Sequence, residues 1–171
     1  MRNYVERAKD FIKQVFPYID ECDEPWEVRE QIDCFNAEHD RKVKVGNGLS
    51  RIALITSDYV VKWDYDPSEV ECIGGCADEV ELYSVAEQEG YGYLFAEITH
   101  VTYQNRDFYI MPRVNGIGRD DFNYAEDYMS AEEKAWCSRH HLSDLHGNNY
   151  GFRKGHVCIV DYACRDCYGS D

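Results

Sequence analysis

The sequence lacks long apolar runs. No stretch of its 171 residues approaches the length that a membrane-spanning helix needs, and the first ten residues, MRNYVERAKD, lack the apolar core of a signal peptide. We therefore expect a cytoplasmic protein that does not contact a membrane. Internal repeats and low-complexity segments are missing as well. Because 44% of the residues are hydrophobic and 14 are Tyr, the composition indicates a globular chain and excludes a disordered one.

Basic residues are scarce. The chain has 18 Lys and Arg residues against 33 Asp and Glu residues, which gives a net charge of -15. A charge of this sign repels the phosphates of nucleic acid, so we expect no direct binding to nucleic acid. The same charge is compatible with an acidic inhibitor that imitates nucleic acid and occupies a basic groove of a partner protein.

What the chain does contain is a mixture of helical and strand patterns. Apolar spacing and capping residues predict helices over 4–19, 25–36, 78–88 and 131–139. Strands are predicted over 42–45, 51–56, 59–63, 95–104, 107–114 and 156–160, with turns at Ser57-Asp58, at Asn105-Arg106 and at 153–155. The sequence therefore predicts an α+β fold.

The stretch from Leu142 to Ala163 carries the strongest chemical signal. It reads as a polar loop, Asp144 to Asn149, followed by two short strands, of which the second ends on Asp161. An apolar strand that ends on an acidic residue, close to a loop with Asp and Asn, is a plausible way to bring oxygen ligands to a hard cation such as Mg2+. Asp144 would then be left as a base.

This stretch resembles the catalytic loop and the metal-binding strand of the protein-kinase-like superfamily. Asp144-Leu-His-Gly-Asn-Asn149 is similar to the D-L-H-x-x-N form of aminoglycoside and other small-molecule phosphotransferases, and Asp161-Tyr-Ala163 is similar to D-F-G. The resemblance implies that Asp144 accepts the proton of an acceptor hydroxyl and that Asn149 and Asp161 hold the metal ions. Asn148 replaces Asn149 if the loop is slipped by one residue.

The segment 42–63 resembles the glycine-rich loop and the V-A-I-K strand of the same superfamily. Gly46 and Gly48 would let the backbone approach phosphates, and Lys62 would contact them. Alternation places Val60 and Lys62 on one face of their strand. Arg51 stands where the family has its third glycine, so a structural turn at Gly46 to Gly48 is the alternative interpretation of the loop. The alternative for Lys62 is a solvated side chain, which is usual for a lone lysine in a strand.

Two further segments follow in the order of the family. The helix at 78–88 resembles the one whose Glu pairs with the strand Lys, which assigns this role to Glu79, with Glu81 as the alternate. The strand at 107–114 resembles the one that leads into the adenine-binding hinge. The resemblance thus adds Met111 and Val114, together with Val60, to the residues that bind the nucleotide.

The resemblance implies a minimal protein-kinase-like fold. Residues 1–40 would be a helical extension, 41–112 an antiparallel-sheet N-lobe with a key helix, and 113–171 a much reduced C-lobe with the catalytic loop; only ten residues follow Asp161. Leu142 stands where the family has a His, and His146 lies inside the loop. The implied function is transfer of the γ-phosphate of ATP, with Mg2+, to an unidentified hydroxyl acceptor on a protein or small molecule. An inactive pseudokinase or the acidic inhibitor is the alternative.

Four of the eight cysteines form two closely spaced pairs. Cys72 and Cys76 precede the helix with Glu79, and Cys164 and Cys167 follow Asp161. If a kinase-like fold brings these segments together, four thiolates would bind a structural zinc ion. The alternative is separate buried thiols, because cysteines without a secretory signal are expected to be reduced.

Overall fold

The computed structural model describes residues 3–48, 50–66, 68–70, 74–115, 124–143 and 145–162. These residues form a mixed structure of helices and antiparallel strands, which confirms the predicted α+β class. The chain divides into two compact units. The first unit comprises Met1–Pro67 and Ile98–Arg113, and the second unit comprises Ser68–Glu97 and Val114–Asp171.

The first unit is built on a five-stranded antiparallel sheet with the strand order β1-β2-β3-β5-β4. Its strands are β1 (Lys44–Asn47), β2 (Arg51–Ile55), β3 (Tyr59–Asp64), β4 (Thr99–Tyr103) and β5 (Arg106–Pro112). The β3 strand is central, so both of its edges are paired, with β2 on one side and β5 on the other.

Two helices, α1 (Tyr4–Ile19) and α2 (Pro25–His39), cover one face of this sheet. The apolar face of α2 is buried at Val28, Ile32 and Phe35. The apolar positions of α1 follow helical spacing; Phe16 is partly buried, and the others are buried, namely Val5, Ala8, Phe11, Ile12, Val15 and Ile19. Both apolar faces pack in one core with alternate residues of β2, β3 and β5. Each large apolar side chain buried in this way contributes about 1.5–3 kcal/mol, so the helices are an integral part of the first unit.

The turn between β4 and β5 lies one residue earlier than predicted. Gln104 and Asn105 have φ values of 50° and 64°, and Arg106 already pairs with Tyr103 in the ladder. A two-residue hairpin turn whose twist fits the strands needs positive φ at both central residues. Positive φ at Gln104, a residue type that seldom adopts it, therefore moves the turn one residue ahead of Asn105-Arg106. The guanidinium of Arg106 donates to the carbonyl of Ile19 at 2.9 Å.

The second unit combines α3 (Cys76–Glu89), α4 (Ala131–Arg139) and a hairpin of β6 (Tyr150–Arg153) and β7 (His156–Ile159). Short 3-10 helices span Gly92–Leu94 and Ala125–Tyr128. The predicted capping box starts α4, since Glu133 N donates to Ser130 Oγ at 3.2 Å and Ser130 N donates to Glu133 Oε2 at 2.5 Å. Positive φ at Lys154 and Gly155 makes the tight turn between β6 and β7.

Trp136 is the centre of packing in the second unit. Its side chain is fully buried and contacts the rings of Tyr91, Phe95 and His140, at centroid distances of 5.4, 5.5 and 4.1 Å. The indole N–H donates to Glu89 Oε2 at 2.8 Å, which joins α4 to the end of α3. A buried Trp needs such a partner for its polar atom.

The compact units are discontinuous in sequence, whereas the predicted boundaries 1–40, 41–112 and 113–171 are continuous. The helices α1 and α2 lie in the same unit as the sheet, and α3 lies in the second unit. The assignment of these segments to lobes stays a prediction. Within the described ranges, no helix is both long enough and apolar enough to cross a membrane.

Candidate functional site

Lys62 lies on the face of the sheet opposite the helices α1 and α2. Tyr59, Val61 and Trp63 of β3 pack in the helix core, and the alternation of the strand turns Val60 and Lys62 to the other face, as predicted. Lys62 is only 5% exposed. Burial of an ammonium group is unfavourable unless it is paired or hydrogen-bonded. The alternative of a solvated lysine therefore does not hold.

The register of the sheet gathers the predicted residues of the first unit in two neighbouring rows. One row runs through Gly46, Ala53, Lys62 and Tyr109, and the next one runs through Val60 and Met111. Small residues thus lie beside Lys62 on the β1 side. Gly46, Val60, Lys62 and Met111 share this face of the sheet.

The backbone conformation at Gly46 and Gly48 does not require glycine. Neither has a positive φ. A Cβ atom on Gly46 would lie 3.4 Å from Ile55 Cδ1, and one on Gly48 would meet no atom within 4 Å. The amide of Gly48 donates to the carbonyl of Arg51 at 2.9 Å, which closes the turn between β1 and β2. The open space at Gly48 is compatible with the close approach of a ligand, although it does not require one.

Glu79 is fully buried in the second unit, with 0% exposure. At the start of α3, the amide of Gly75 donates to Asp78 Oδ2 at 2.7 Å. Glu79 follows Asp78, and its carboxylate accepts the backbone amide of Tyr162 at 3.2 Å. Its alternate, Glu81, is exposed. Of the two acidic residues, Glu79 is the one next to the strand end that carries Asp161.

Asn149 is held on the other side of the same strand end. The backbone amide of Asn149 donates to the backbone carbonyl of His146 at 2.9 Å, and the backbone carbonyl of Asn149 accepts the amide of Val160 at 2.8 Å. Asn149 is 8% exposed, whereas Asn148 is exposed. The backbone bonds of Val160 and Tyr162 therefore place Asn149 and Glu79 next to the two neighbours of Asp161. The predicted base, Asp144, lies outside the described residues.

The end of β7 is fixed by a third segment. The amide of Ala96 donates to the carbonyl of Ile159 at 2.8 Å, and the hydroxyl of Tyr162 donates to the carbonyl of Ala96 at 2.8 Å. Burial raises the pKa of Tyr162 well above its ordinary value, and the nearby charge of Glu79 adds to this shift. Hydrogen bonds to other segments therefore fix the backbone on both sides of Asp161, at Ile159 and Val160 before it and at Tyr162 after it.

Sequence reasoning gave no role to Tyr162. It is fully buried, and its ring packs on Phe95 at a centroid distance of 4.9 Å. Its hydroxyl and amide bond two different segments, those of Ala96 and Glu79. The signal available in the sequence was an aromatic residue directly after the acidic residue that ends the strand.

The donor types of Asn149 and Asp161 fit a hard cation. An amide oxygen and a carboxylate are ligands that Mg2+ accepts, usually together with water and phosphate oxygens. Among the described residues, no three His, Cys, Asp or Glu side chains cluster closely enough to hold a metal ion. A magnesium site at this strand end would therefore depend on Asn149 and Asp161 and on oxygen atoms from water and the nucleotide. Of the four cysteines considered either as zinc ligands or as separate thiols, Cys76 is buried, and Cys72, Cys164 and Cys167 lie outside the described residues.

Leu142, predicted to replace a His of the kinase-like superfamily, is a core residue. It is buried, and its amide donates to the carbonyl of Cys137 at 3.0 Å, after His141 has turned the chain with a φ of 56°. His140 instead stacks on Trp136 and lies 3.6 Å from Glu89 Oε2. The segment before the loop is therefore fixed by apolar packing. Val114, predicted to contact the nucleotide, is a buried residue of the second unit.

Comparison with known proteins adds no family or function to this geometry. The chain matches no protein-family model, and a search of curated proteins found no significant match.

Proposed function

We propose that the protein is an ATP-dependent phosphotransferase of minimal kinase-like build. The observation that carries the proposal is the arrangement at the end of β7, where Asn149 and Glu79 are hydrogen-bonded to the two neighbours of Asp161. A second supporting observation is the buried Lys62, with Gly46 in its row of the sheet. These residue types appear in the order of the family along the chain.

Each residue has a defined part in this proposal. Asn149 and Asp161 would hold Mg2+, which neutralises phosphate charge when it is bound. Lys62 would pair with phosphate oxygens, and Glu79 would fix the strand end that carries Asp161. Asp144 would orient the acceptor hydroxyl and take its proton. Rate acceleration would come mainly from positioning and from charge neutralisation.

The test is Mg2+-dependent ATP binding and turnover by the whole chain. We expect Asp161→Asn to lower turnover about 100-fold or more, because it removes charge stabilisation from the transition state. Lys62→Met should weaken ATP binding about tenfold or more, as expected for the loss of a charged hydrogen bond. The matched controls are Asp33→Asn, on the exposed side of α2, and Lys44→Met, which lies exposed on the same sheet face as Lys62.

Two results would contradict the proposed activity or its assignment to these residues. If calorimetry detects no ATP binding with Mg2+ and no turnover occurs with any acceptor, the phosphotransferase proposal is wrong. Equal losses in the control variants would show that the effects come from charge or stability and not from the proposed site.

A second candidate is a pseudokinase that binds nucleotide or a partner without catalysis. It is favoured by Leu142, since a buried leucine replaces the imidazole that the family places before the loop. This candidate predicts ATP binding that is lost in Lys62→Met but no turnover in the wild type. The acidic inhibitor, which rests on the net charge of -15, predicts instead a salt-sensitive complex with a nucleic-acid-binding protein.

A further inference from the structure

A cavity of about 350 Å³ lies in the first unit, away from the predicted site residues. One wall is a single face of α1, with Arg7, Asp10, Phe11 and Gln14. The second wall is the connection from α2 to β1, and the third is the turn from β2 to β3. The cavity opens on the side of β3 that carries Tyr59, which is the face opposite Lys62.

The floor of the cavity is apolar and its rim is cationic. Phe11, Val43 and Tyr59 form the floor, and all three are buried. Three cationic side chains line the cavity, Arg7, Arg41 and Lys42, against two acidic ones, Asp10 and Asp58. This local excess of positive charge contrasts with the net charge of -15 for the whole chain.

The acidic residues of the cavity have cationic neighbours of their own. Asp58 Oδ2 accepts Arg7 Nη2 at 2.9 Å, and Asp10 Oδ1 lies 3.6 Å from Lys13 Nζ. Arg41 and Lys42 are exposed, and in the described part of the chain neither forms an ion pair. Burial raises the pKa of Tyr59; the positive charges of Arg41 and Arg7 oppose this shift, and the negative charges of Asp58 and Asp10 add to it.

Hydrogen bonds that do not involve the side chains of Arg41 and Lys42 hold the walls, and the bond from Arg7 to Asp58 joins α1 to the turn between β2 and β3. The side chain of Asn36 bonds both backbone groups of Val43, at 2.8 and 2.9 Å. The hydroxyl of Thr56 donates to the carbonyl of Tyr59 at 2.7 Å and accepts its amide at 3.1 Å. Arg113 donates to the carbonyl of Thr56 at 2.9 Å. The cavity is therefore preformed, which lowers the entropic cost of binding.

We propose that this cavity binds a small organic anion, a phosphate or carboxylate group carried on a flat apolar body. The anionic group pairs with Arg41 and Lys42 at the rim, and the apolar body rests on Phe11, Val43 and Tyr59. The volume lies at the lower end of the range for ligand pockets, roughly 300–1,000 Å³, so it suits a single ring and not a dinucleotide. Arginine is suited to this role because its guanidinium pairs with both oxygens of a carboxylate or phosphate. The site is independent of the proposed phosphotransferase function.

The test uses the full chain and three probes, phenyl phosphate, benzoate and inorganic phosphate, each titrated at low salt. Backbone amide NMR shifts report the binding position, and their saturation gives the Kd. We expect phenyl phosphate or benzoate to bind saturably and to shift the amides of residues 41–43 and 56–59. Inorganic phosphate should bind more weakly, because it leaves the apolar floor uncovered.

The decisive comparison is between two variants that lose the same amount of positive charge. Arg41→Gln combined with Lys42→Gln should weaken binding of the organic anions about tenfold or more. Lys134→Gln combined with Lys154→Gln, at exposed positions of the second unit, should leave the Kd unchanged. All four positions are exposed, and equal unfolding midpoints would verify that both variants fold.

Three results would overturn the proposal. The first is the absence of saturable shifts with all three probes at millimolar concentration. The second is an equal loss of affinity in both double variants, which would indicate attraction by overall charge. The third is inorganic phosphate that binds as tightly as phenyl phosphate, which would remove the role of the apolar floor.

Discussion

The amide of Tyr162 donates a hydrogen bond to Glu79 Oε1 at 3.2 Å, and both residues are buried. This bond joins α3 to the chain directly after Asp161, across 83 positions of sequence. A carboxylate that accepts a buried backbone amide has a structural role whether or not it also serves catalysis. Stability measurements can therefore test its position before any activity is known.

We expect Glu79→Ala to lower the free energy of unfolding by about 1–3 kcal/mol, because the amide of Tyr162 loses its acceptor inside the protein. Glu79→Gln keeps an oxygen that can accept this bond and should recover part of the loss. The control is Glu81→Ala, an exposed position of the same helix, which should change stability by no more than about 0.5 kcal/mol. Urea unfolding measures all three. Equal effects at positions 79 and 81 would contradict the buried contact.

Ser50, next to the β1–β2 turn, provides a second test of stability. Its side chain is fully buried, and its hydroxyl finds no hydrogen-bond partner among the described residues. A buried hydroxyl without a partner keeps its desolvation cost, so Ser50→Ala should raise the free energy of unfolding by about 1 kcal/mol. Ser143→Ala, at an exposed position, should be neutral. A destabilised Ser50→Ala protein would show that the hydroxyl is hydrogen-bonded after all.

Local sequence patterns predicted the helices and strands that bury one face along their whole length. The apolar positions of α1 recur at helical spacing, so Val5, Phe11 and Ile19 could be assigned to the core before the structure was known. The alternation in β3 likewise separated Lys62 from Tyr59. These patterns are sufficient because each element must bury one face against a neighbour.

Contacts between distant segments could not be predicted in this way. The bond from Arg106 to Ile19 joins positions 87 residues apart, and no local pattern indicates it. The dual role of Tyr162 depends on Ala96 and Glu79, which no local pattern connects to it. The cavity in the first unit is formed by three separate segments, and none of them carries a ligand-binding motif. Such features follow from packing and not from periodicity.

Cys137 and Cys158 should differ in reactivity from the exposed Cys34. Burial raises the pKa of Cys137 to about 12 and that of Cys158 to about 11, whereas Cys34 is exposed. Since the thiolate is the reactive form, we expect iodoacetamide at pH 8 to modify Cys34 before Cys137 and Cys158. Cys137 and Cys158 should react only after unfolding in urea. Peptide mass spectrometry measures the order, and similar rates for Cys34 and Cys137 in the native protein would contradict the buried positions.

Tyr93 links stability to alkaline pH. Its hydroxyl donates to Glu133 Oε1 at 2.7 Å, and this bond, together with burial, raises the pKa of Tyr93 to about 12 from an ordinary value of 10.0. The folded state thus holds the phenol proton more tightly than the unfolded state, so the stabilisation is complete below pH 10.0 and is lost as pH rises through about 12. We expect the difference in unfolding free energy between the wild type and Tyr93→Phe to be constant at neutral pH and to decrease in that range. The same substitution made in a Glu133→Gln background should show a much smaller pH dependence, because the carboxylate that raises the pKa is gone. Urea unfolding at a series of pH values measures both differences, and an unchanged pH dependence in the Glu133→Gln background would show that this hydrogen bond does not control the titration of Tyr93.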